Sequence, residues 1–145
     1  MAGLSAETES ILHASCVQIE GRGLLILGPS GSGKSALALQ MMALGAMLVA
    51  DDRTIVTPAM GGLLAACPPA LSGLIEARGL GLLRAGATGP VELALAVDLG
   101  QRETQRLPPK RQILLAGLSL DLVLGQDGCH FPAALLQFLR KGRQA

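Results

Sequence analysis

The sequence predicts an α/β domain built on a mixed β-sheet, and three features of its 145 residues support this class. A glycine-rich segment at 28–35 lies between an apolar run, 23–27, and a helical stretch that begins at Ala36. A short apolar run of the buried-strand type follows this helix, and the rest of the chain is rich in strand-like segments. The length suits one hydrophobic core. We therefore expect residues 1–145 to form a single domain, with no separate N-terminal domain.

The first predicted elements form a hairpin that leads into the glycine-rich segment. Residues 13–20 alternate loosely and predict a strand, a turn follows at 21–23, and 24–27 is the second strand. The helix after the glycine-rich segment is expected to end just before Gly45, which supplies a left-handed stop. The next predicted strand, 46–50, leads directly into two aspartates.

Glycines and prolines divide the second half of the chain into short segments. A turn is predicted at 58–62, and the charged segment 101–112, which contains two adjacent prolines, is predicted to be a surface loop. Pro132 is expected in the first turn of a last helix that extends to about Lys141. Short strands are expected in between, at 53–57, 63–67, 91–99 and within 113–124.

The glycine-rich segment reads G-P-S-G-S-G-K-S and matches the phosphate-binding pattern G-x-x-x-x-G-K-[ST]. Its glycines let backbone N–H groups turn inward around a phosphate, and the helix N-terminus adds its positive dipole end. Lys34 would reach the β- and γ-phosphates of a nucleotide, and the Ser35 hydroxyl would ligate Mg²⁺. The strand and helix at its flanks argue against an accidental glycine-rich turn. The predicted nucleotide site comprises Gly28, Pro29, Ser30, Gly31, Ser32, Gly33, Lys34 and Ser35.

Two adjacent acidic residues supply a second part of a phosphoryl-transfer site. Asp51 and Asp52 follow an apolar strand, and the carboxyl ends of parallel strands open onto one crevice. Because adjacent strand residues point to opposite faces, the two carboxylates are expected to differ in role. One would hold metal-bound water and the other would face the acceptor hydroxyl. A solvated acidic turn is the alternative interpretation.

Three further features are ambiguous when the residues are considered alone. The segment 75–82 places Glu76 and Arg78 before a Gly-x-Gly, which suits either a phosphate site or a surface strand and turn. His13 stands at the start of a strand, where it is either a catalyst or a surface residue. Arg106 lies in a charged loop, where solvation alone would explain it.

The composition argues against several classes of function. The net charge is +1 and the chain has two Phe, no Trp and no Tyr, so neither a basic footprint nor a stacking platform for nucleic acid is expected. No apolar run is long enough to span a bilayer, and residues 1–10 lack the basic start of a secretory signal. The three widely spaced cysteines indicate free thiols. We therefore expect a cytoplasmic protein that binds neither nucleic acid nor a membrane.

Together these residues resemble the catalytic domain of the HPr serine kinase/phosphorylases. The resemblance rests on H-A-S at 13–15, on the phosphate-binding loop and on L-V-A-D-D-R at 48–53, in the order and spacing of that family. The segment I-E-A-R-G-L-G-L at 75–82 resembles the family's signature, and E-T-Q-R-L at 103–107 resembles a later element. The resemblance implies a P-loop-containing mixed β-sheet domain similar to the phosphoenolpyruvate carboxykinase-like fold.

The resemblance also implies an activity. Members of the family transfer the γ-phosphate of ATP to a serine of HPr, the small phosphocarrier of the sugar phosphotransferase system, and remove it by phosphorolysis. By this resemblance Asp52 would accept the serine proton, and a homo-oligomer is the expected state. The catalytic residues would be Asp52, Lys34, His13 and Arg106, and the Mg²⁺ site would comprise Ser35 and Glu76, to which Asp51 is added from its position after the strand.

Two departures from the family keep other functions open. Family members commonly carry an N-terminal domain, whereas only about a dozen residues precede His13 here. The family's basic loop, which is associated with dephosphorylation, has no clear counterpart after Arg106. Kinase activity is therefore expected more firmly than phosphorolysis. The alternatives are an ATP-sensing regulatory module without phosphotransfer and a small-molecule kinase on the same scaffold.

Overall fold

The computed structural model describes residues 9–145, in which eleven strands and two α-helices are present. The expectation that residues 1–10 form no secretory signal falls mostly outside this range. The helices are α1 (Lys34–Ala43) and α2 (Phe131–Lys141). The strands are β1 (Ser10–Leu12), β2 (Ser15–Ile19), β3 (Arg22–Leu27), β4 (Met47–Ala50), β5 (Thr54–Ala59), β6 (Gly62–Ala66), β7 (Leu74–Ala77), β8 (Gly81–Arg84), β9 (Val91–Arg102), β10 (Arg111–Leu115) and β11 (Leu118–Gly125).

Nine of these strands form one mixed sheet, as the predicted α/β class requires. Its order is β1-β5-β6-β9-β3-β2-β4, and β11 and then β10 extend it from the second half of β9. The long strand β9 is parallel to β3 and to β11, whereas β2 is antiparallel to both β3 and β4. Strands β7 and β8 form a separate hairpin. The predicted mixed β-sheet is therefore confirmed.

The central strands are buried on both faces, which explains their nearly continuous apolar sequence. Leu24 and Ile26 of β3 pack with α1, α2 and the β7–β8 hairpin, and Leu25 between them belongs to a second cluster on the opposite face. This second cluster consists mostly of strand residues and contains no residue of either helix. The outer strands of the sheet therefore cover one face, and the helices cover the other.

Several local predictions are confirmed. β2 and β3 form the predicted hairpin, and Gly45, with φ 114°, follows the end of α1 in a left-handed conformation. Pro132 lies in the first turn of α2, and β10 and β11 form the expected strand pair. Among residues 9–145 neither helix is long and apolar enough to cross a bilayer.

Two predicted boundaries are wrong. The turn expected at 58–62 is confined to Met60 and Gly61, whose positive φ angles of 51° and 83° make a tight two-residue hairpin, so Pro58 stays in β5 opposite Leu63. The loop expected at 101–112 is shorter at both ends. β9 continues to Arg102, where it pairs with β11, and β10 already begins at Arg111.

Candidate active site

Three strands bring the predicted site residues to one edge of the sheet. β3 leads into the phosphate-binding loop, and β4 leads into Asp51. β2 lies between them and runs in the opposite direction, so its beginning, next to His13, reaches the same edge. The sequence predicts that the ends of neighbouring parallel strands lie side by side at the site. In the structure β2 separates β3 from β4 and adds side chains of its own.

The loop has the backbone of a phosphate cradle. Gly28, Gly31 and Gly33 have φ angles of 148°, 82° and 99°, a region that other residues rarely adopt. Among the described residues, the buried Ser32 hydroxyl has no hydrogen-bond partner. Helix α1 begins at Lys34, within the last two residues of the motif, without a side-chain cap and without an acidic residue in its first turn. Its first N–H groups are therefore left for an anion, and the loop fits a nucleotide polyphosphate.

Lys34 lies under this loop rather than in solvent. The residue is 7% exposed, and its Nζ donates hydrogen bonds to the carbonyls of Gly28 at 2.8 Å and Pro29 at 3.1 Å. An ammonium group has three N–H donors, so one remains for a phosphate oxygen. The contact of Lys34 with the nucleotide phosphates, which the motif predicts, stays a prediction.

Asp51 is a buried acceptor for three groups from three different elements. Its Oδ1 accepts hydrogen bonds from the hydroxyls of Ser15 and Ser35, each at 2.7 Å. Its Oδ2 accepts the backbone N–H of Glu76 at 2.9 Å. A carboxylate that is 6% exposed needs such donors to offset its loss of hydration. Asp51 therefore joins the start of β2, the start of α1 and the β7–β8 hairpin.

Asp52 takes a different direction from its neighbour. Its Oδ1 lies 2.6 Å from Nε2 of His13, and both side chains are about half exposed, at 56% and 45%. This pair stands at the opening of the site, whereas Asp51 lies beneath it. The two aspartates therefore have different partners, and the different roles expected of them stay a prediction.

A cleft of about 640 Å³ brings most of the predicted residues together. It is lined by the phosphate-binding loop, His13, Asp52 and Glu76. Arg106 is exposed on the segment between β9 and β10 and does not line this cleft. Within residues 9–145 no group of three or more His, Cys, Asp or Glu side chains is placed to hold a metal ion. A Mg²⁺ ion here would need oxygen ligands from the phosphates in addition to the predicted Ser35 and Glu76, which is the usual arrangement for nucleotide-bound Mg²⁺. Asp51, the third predicted ligand, is buried and does not line the cleft, and its contact with the metal stays a prediction.

Sequence reasoning missed two residues that the structure places at the cleft, since Ser15 and Gln40 were given no role. Arg78, which the sequence offered with Glu76 for a phosphate site or a surface turn, also lines the cleft. Ser15 belongs to the H-A-S block, but it reaches Asp51 only because β2 lies between β3 and β4. Gln40 could have been found from the sequence, because it lies four residues after Ala36 and therefore on the same face of the helix. Both residues line the cleft.

Two cysteines near the site, Cys16 and Cys67, have raised thiol pKa values. Burial raises the pKa of the Cys67 thiol, and the charge of Asp51 raises it further. Burial alone raises the pKa of Cys16 strongly. Both thiols are therefore held in the protonated form, and neither is paired in a disulfide.

Comparison with known proteins points to one family. The model of the HPr Serine kinase C-terminal domain matches residues 4–88. An HPr kinase/phosphorylase of Cupriavidus metallidurans is 38% identical over 124 residues, which cover 77% of this chain and 38% of that protein. One from Clostridium tetani is 43% identical over 75 residues, which cover 52% of this chain and 25% of that protein. The chain thus spans well under half the length of these curated relatives.

A solved structure shares the fold. The Hpr(Ser) kinase/phosphatase from Coxiella burnetii superposes with a TM-score of 0.76 at 22% sequence identity, and the match covers 90% of this chain and 88% of that one. At this level of identity the likeness concerns the fold.

Proposed function

Because the chain belongs to the family of the HPr Serine kinase C-terminal domain, we propose that it is an ATP-dependent protein-serine kinase. The proposed acceptor is a serine of an HPr-type phosphocarrier protein of the phosphotransferase system. The observation that carries the proposal is that the phosphate-binding loop and the Asp52 carboxylate line one cleft. A phosphoryl donor and a hydroxyl acceptor can therefore meet there.

In the proposed reaction the serine oxygen attacks the γ-phosphorus, the bond to the β-phosphate oxygen breaks, and ADP leaves. Asp52 accepts the serine proton, since its carboxylate is half exposed at the mouth of the cleft and hydrogen-bonded to His13. Lys34 and the loop amides compensate the charge of the phosphates. Ser35 and Glu76 would hold Mg²⁺, which supplies further charge compensation. Asp51 holds the Ser35 hydroxyl from behind.

The test of this proposal is the Asp52→Asn variant with Mg²⁺, ATP and an HPr-type protein. Asn tolerates the left-handed backbone of position 52, φ 68°, and keeps the side-chain size, so the variant should fold. Loss of the base is expected to lower kcat by about 10²–10⁴-fold with ATP affinity nearly unchanged. Phosphoserine formation is measured by mass spectrometry, with Asp121→Asn, an exposed carboxylate on β11, as the control. Full activity of Asp52→Asn would refute the assignment of the base.

One observation favours a second candidate function. Arg106, which the family resemblance assigns to catalysis, does not line the cleft. An ATP-sensing module would bind the nucleotide without transferring phosphate. Tight Mg²⁺-dependent ATP binding without phosphorylation of any HPr-type protein would support this alternative.

Further features of the proposal follow from the family. Phosphorolysis of the phosphoserine would use the same residues in reverse, with Asp52 as the proton donor. A homo-oligomer is the proposed state. The proposed compartment is the cytoplasm, where the free thiols of this chain would stay reduced.

A further inference from the structure

We propose that Ser15 is a positioning residue that acts through Asp51 to orient the Ser35 hydroxyl toward nucleotide-bound Mg²⁺. This inference rests on the proposed function, because it concerns the same nucleotide site. It assigns a role to a side chain that neither the phosphate-binding motif nor the acidic pair includes.

The hydrogen bonds of Ser15 are directed at both aspartates. Its side chain is fully buried, and its Oγ donates to Oδ1 of Asp51 at 2.7 Å. The same Oγ accepts the backbone N–H of Asp52 at 3.3 Å. One hydroxyl thus fixes the Asp51 carboxylate and contacts the backbone from which the Asp52 side chain projects.

The direction of these bonds determines what Ser35 can offer a cation. An ionised carboxylate only accepts hydrogen bonds, so both Ser15 and Ser35 must donate their single proton to Oδ1 of Asp51. With its proton committed to Asp51, Ser35 keeps its lone pairs for a metal ion. The opposite hydroxyl orientation would point a proton at the cation and repel it.

Ser15 is the third point that holds this carboxylate in place. Glu76 N–H fixes Oδ2, and Ser35 is the group to be oriented, so Ser15 is the independent hydrogen-bond donor to Oδ1. Without the Ser15 hydroxyl, only Oδ2 of Asp51 stays fixed, by the Glu76 N–H. The carboxylate can then rotate about that one hydrogen bond. Ser35 would then lose its preferred orientation, and the nucleotide would gain less from Mg²⁺.

The chain provides a matched control. Thr54 is likewise fully buried, and its hydroxyl donates to the Ala14 carbonyl at 2.8 Å rather than to Asp51. Thr54→Val removes a buried hydroxyl close to Ser15 in the fold without removing a hydrogen bond to the carboxylate. If a general loss of stability were the cause, Thr54→Val and the Ser15 variant would change in the same way. If Ser15 has a positioning role, only the Ser15 variant should lose the gain from Mg²⁺.

The experiment measures ATP dissociation constants by calorimetry, once in Mg²⁺ and once in EDTA, together with thermal unfolding. The ratio of the two constants gives the gain from Mg²⁺. In Ser15→Ala we expect this ratio to fall by about tenfold, the effect of one hydrogen bond to a charged group, with the EDTA constant within about twofold of wild type. Thr54→Val should keep the wild-type ratio.

Ser15→Cys separates the effect of hydrogen bonding from that of packing. It also replaces Ser15→Ala in the experiment if that variant does not fold. A thiol keeps the shape of the side chain but donates only weakly, so this variant should resemble Ser15→Ala in its Mg²⁺ ratio and wild type in its stability. A wild-type ratio in Ser15→Ala or Ser15→Cys, or an equal fall in Thr54→Val, overturns the inference alone. A wild-type chain that gains nothing from Mg²⁺ overturns the proposed function and the inference with it.

Discussion

Asp52 has a left-handed backbone, φ 68°, two residues after β4 ends at Ala50. Asp and Asn are among the few residues other than Gly that adopt this conformation readily. The reversal lets Asp51 turn inward to its donors while Asp52 faces His13. The alternation of side chains along a strand predicts the same divergence, but the left-handed residue beyond the strand end is what produces it.

Glycine substitutions in the loop should differ according to the space around each Cβ. A Cβ at Gly28 would lie 2.5 Å from the Ser32 Oγ, 3.1 Å from the Ser32 Cβ and 3.3 Å from the Leu99 Cβ, whereas one at Gly31 would meet no atom within 4 Å. An L-residue is strained at both positions, with φ 148° and 82°, so Gly31→Ala shows the cost of strain without crowding. Gly28→Ala should therefore weaken ATP binding more than Gly31→Ala does, because the Ser32 hydroxyl can turn aside but the two Cβ atoms yield only with their backbone, and such crowding typically costs about 1–3 kcal/mol. Equal ATP affinities of the two variants, measured by calorimetry, would contradict this.

Among the elements, β2 has the largest effect on the site. Its antiparallel insertion between β3 and β4 brings His13 and Ser15 beside the loop and the aspartates. The β7–β8 hairpin forms another wall, and it is held by Ile75, which is 1% exposed in the cluster shared with α1. Packing of one side chain thus positions the Glu76 N–H against Asp51.

Ile75→Ala is expected to destabilise the protein by about 2–5 kcal/mol, since it removes a fully buried branched side chain and leaves a cavity. Leu82 on the paired strand β8 is 66% exposed, so Leu82→Ala should change the free energy of unfolding by less than about 0.5 kcal/mol. Urea denaturation of the two variants measures the difference. Similar values for both would show that the hairpin is not anchored through Ile75.

At the scale of the whole molecule, one ion pair connects the end of β9 to β10. Both carboxylate oxygens of Glu103 accept hydrogen bonds from Arg111 at 3.1 Å, and the Glu103 side chain is only 8% exposed. Desolvation acts to raise the pKa of Glu103, but hydrogen bonds from the Gln105 N–H, from Arg111 and from the Thr104 N–H together lower it. This pair ties the start of the segment that carries Arg106 to the start of β10.

The lowered pKa of Glu103 predicts a pH dependence of stability. A group with a depressed pKa in the folded state contributes its stabilisation above its unfolded pKa, ordinarily 4.5, and loses it as the pH falls through the folded value. Glu103→Gln should therefore be less stable than wild type at pH 7, and the difference should shrink below pH 4.5.

Thermal unfolding of wild type and Glu103→Gln between about pH 3 and pH 7 measures how their stabilities converge. The lower limit, about pH 3, lies below the ordinary pKa of a glutamate. Glu20→Gln serves as the control, because Glu20 forms an exposed ion pair with Arg140 that should contribute little. Parallel curves for wild type and Glu103→Gln over this range would contradict the assignment.

Local features of the chain were predictable because adjacent residues determine them. The phosphate-binding loop, the β2–β3 hairpin and the helix stop at Gly45 each depend on a few consecutive residues and their allowed φ angles. The Pro58 boundary was wrong for a related reason, since proline marks turns and strand edges alike.

The sequence by itself therefore determined the class of the fold, the loop and the acidic pair that follows β4. Only the tertiary structure decided that β2 separates β3 from β4, that Ser15 bonds Asp51 across 36 residues of chain, and that Arg106 does not line the cleft. These arrangements depend on strand order, which is set by how the two faces of the sheet are buried together. No short stretch of sequence contains that information, because it arises from packing between segments that are distant along the chain.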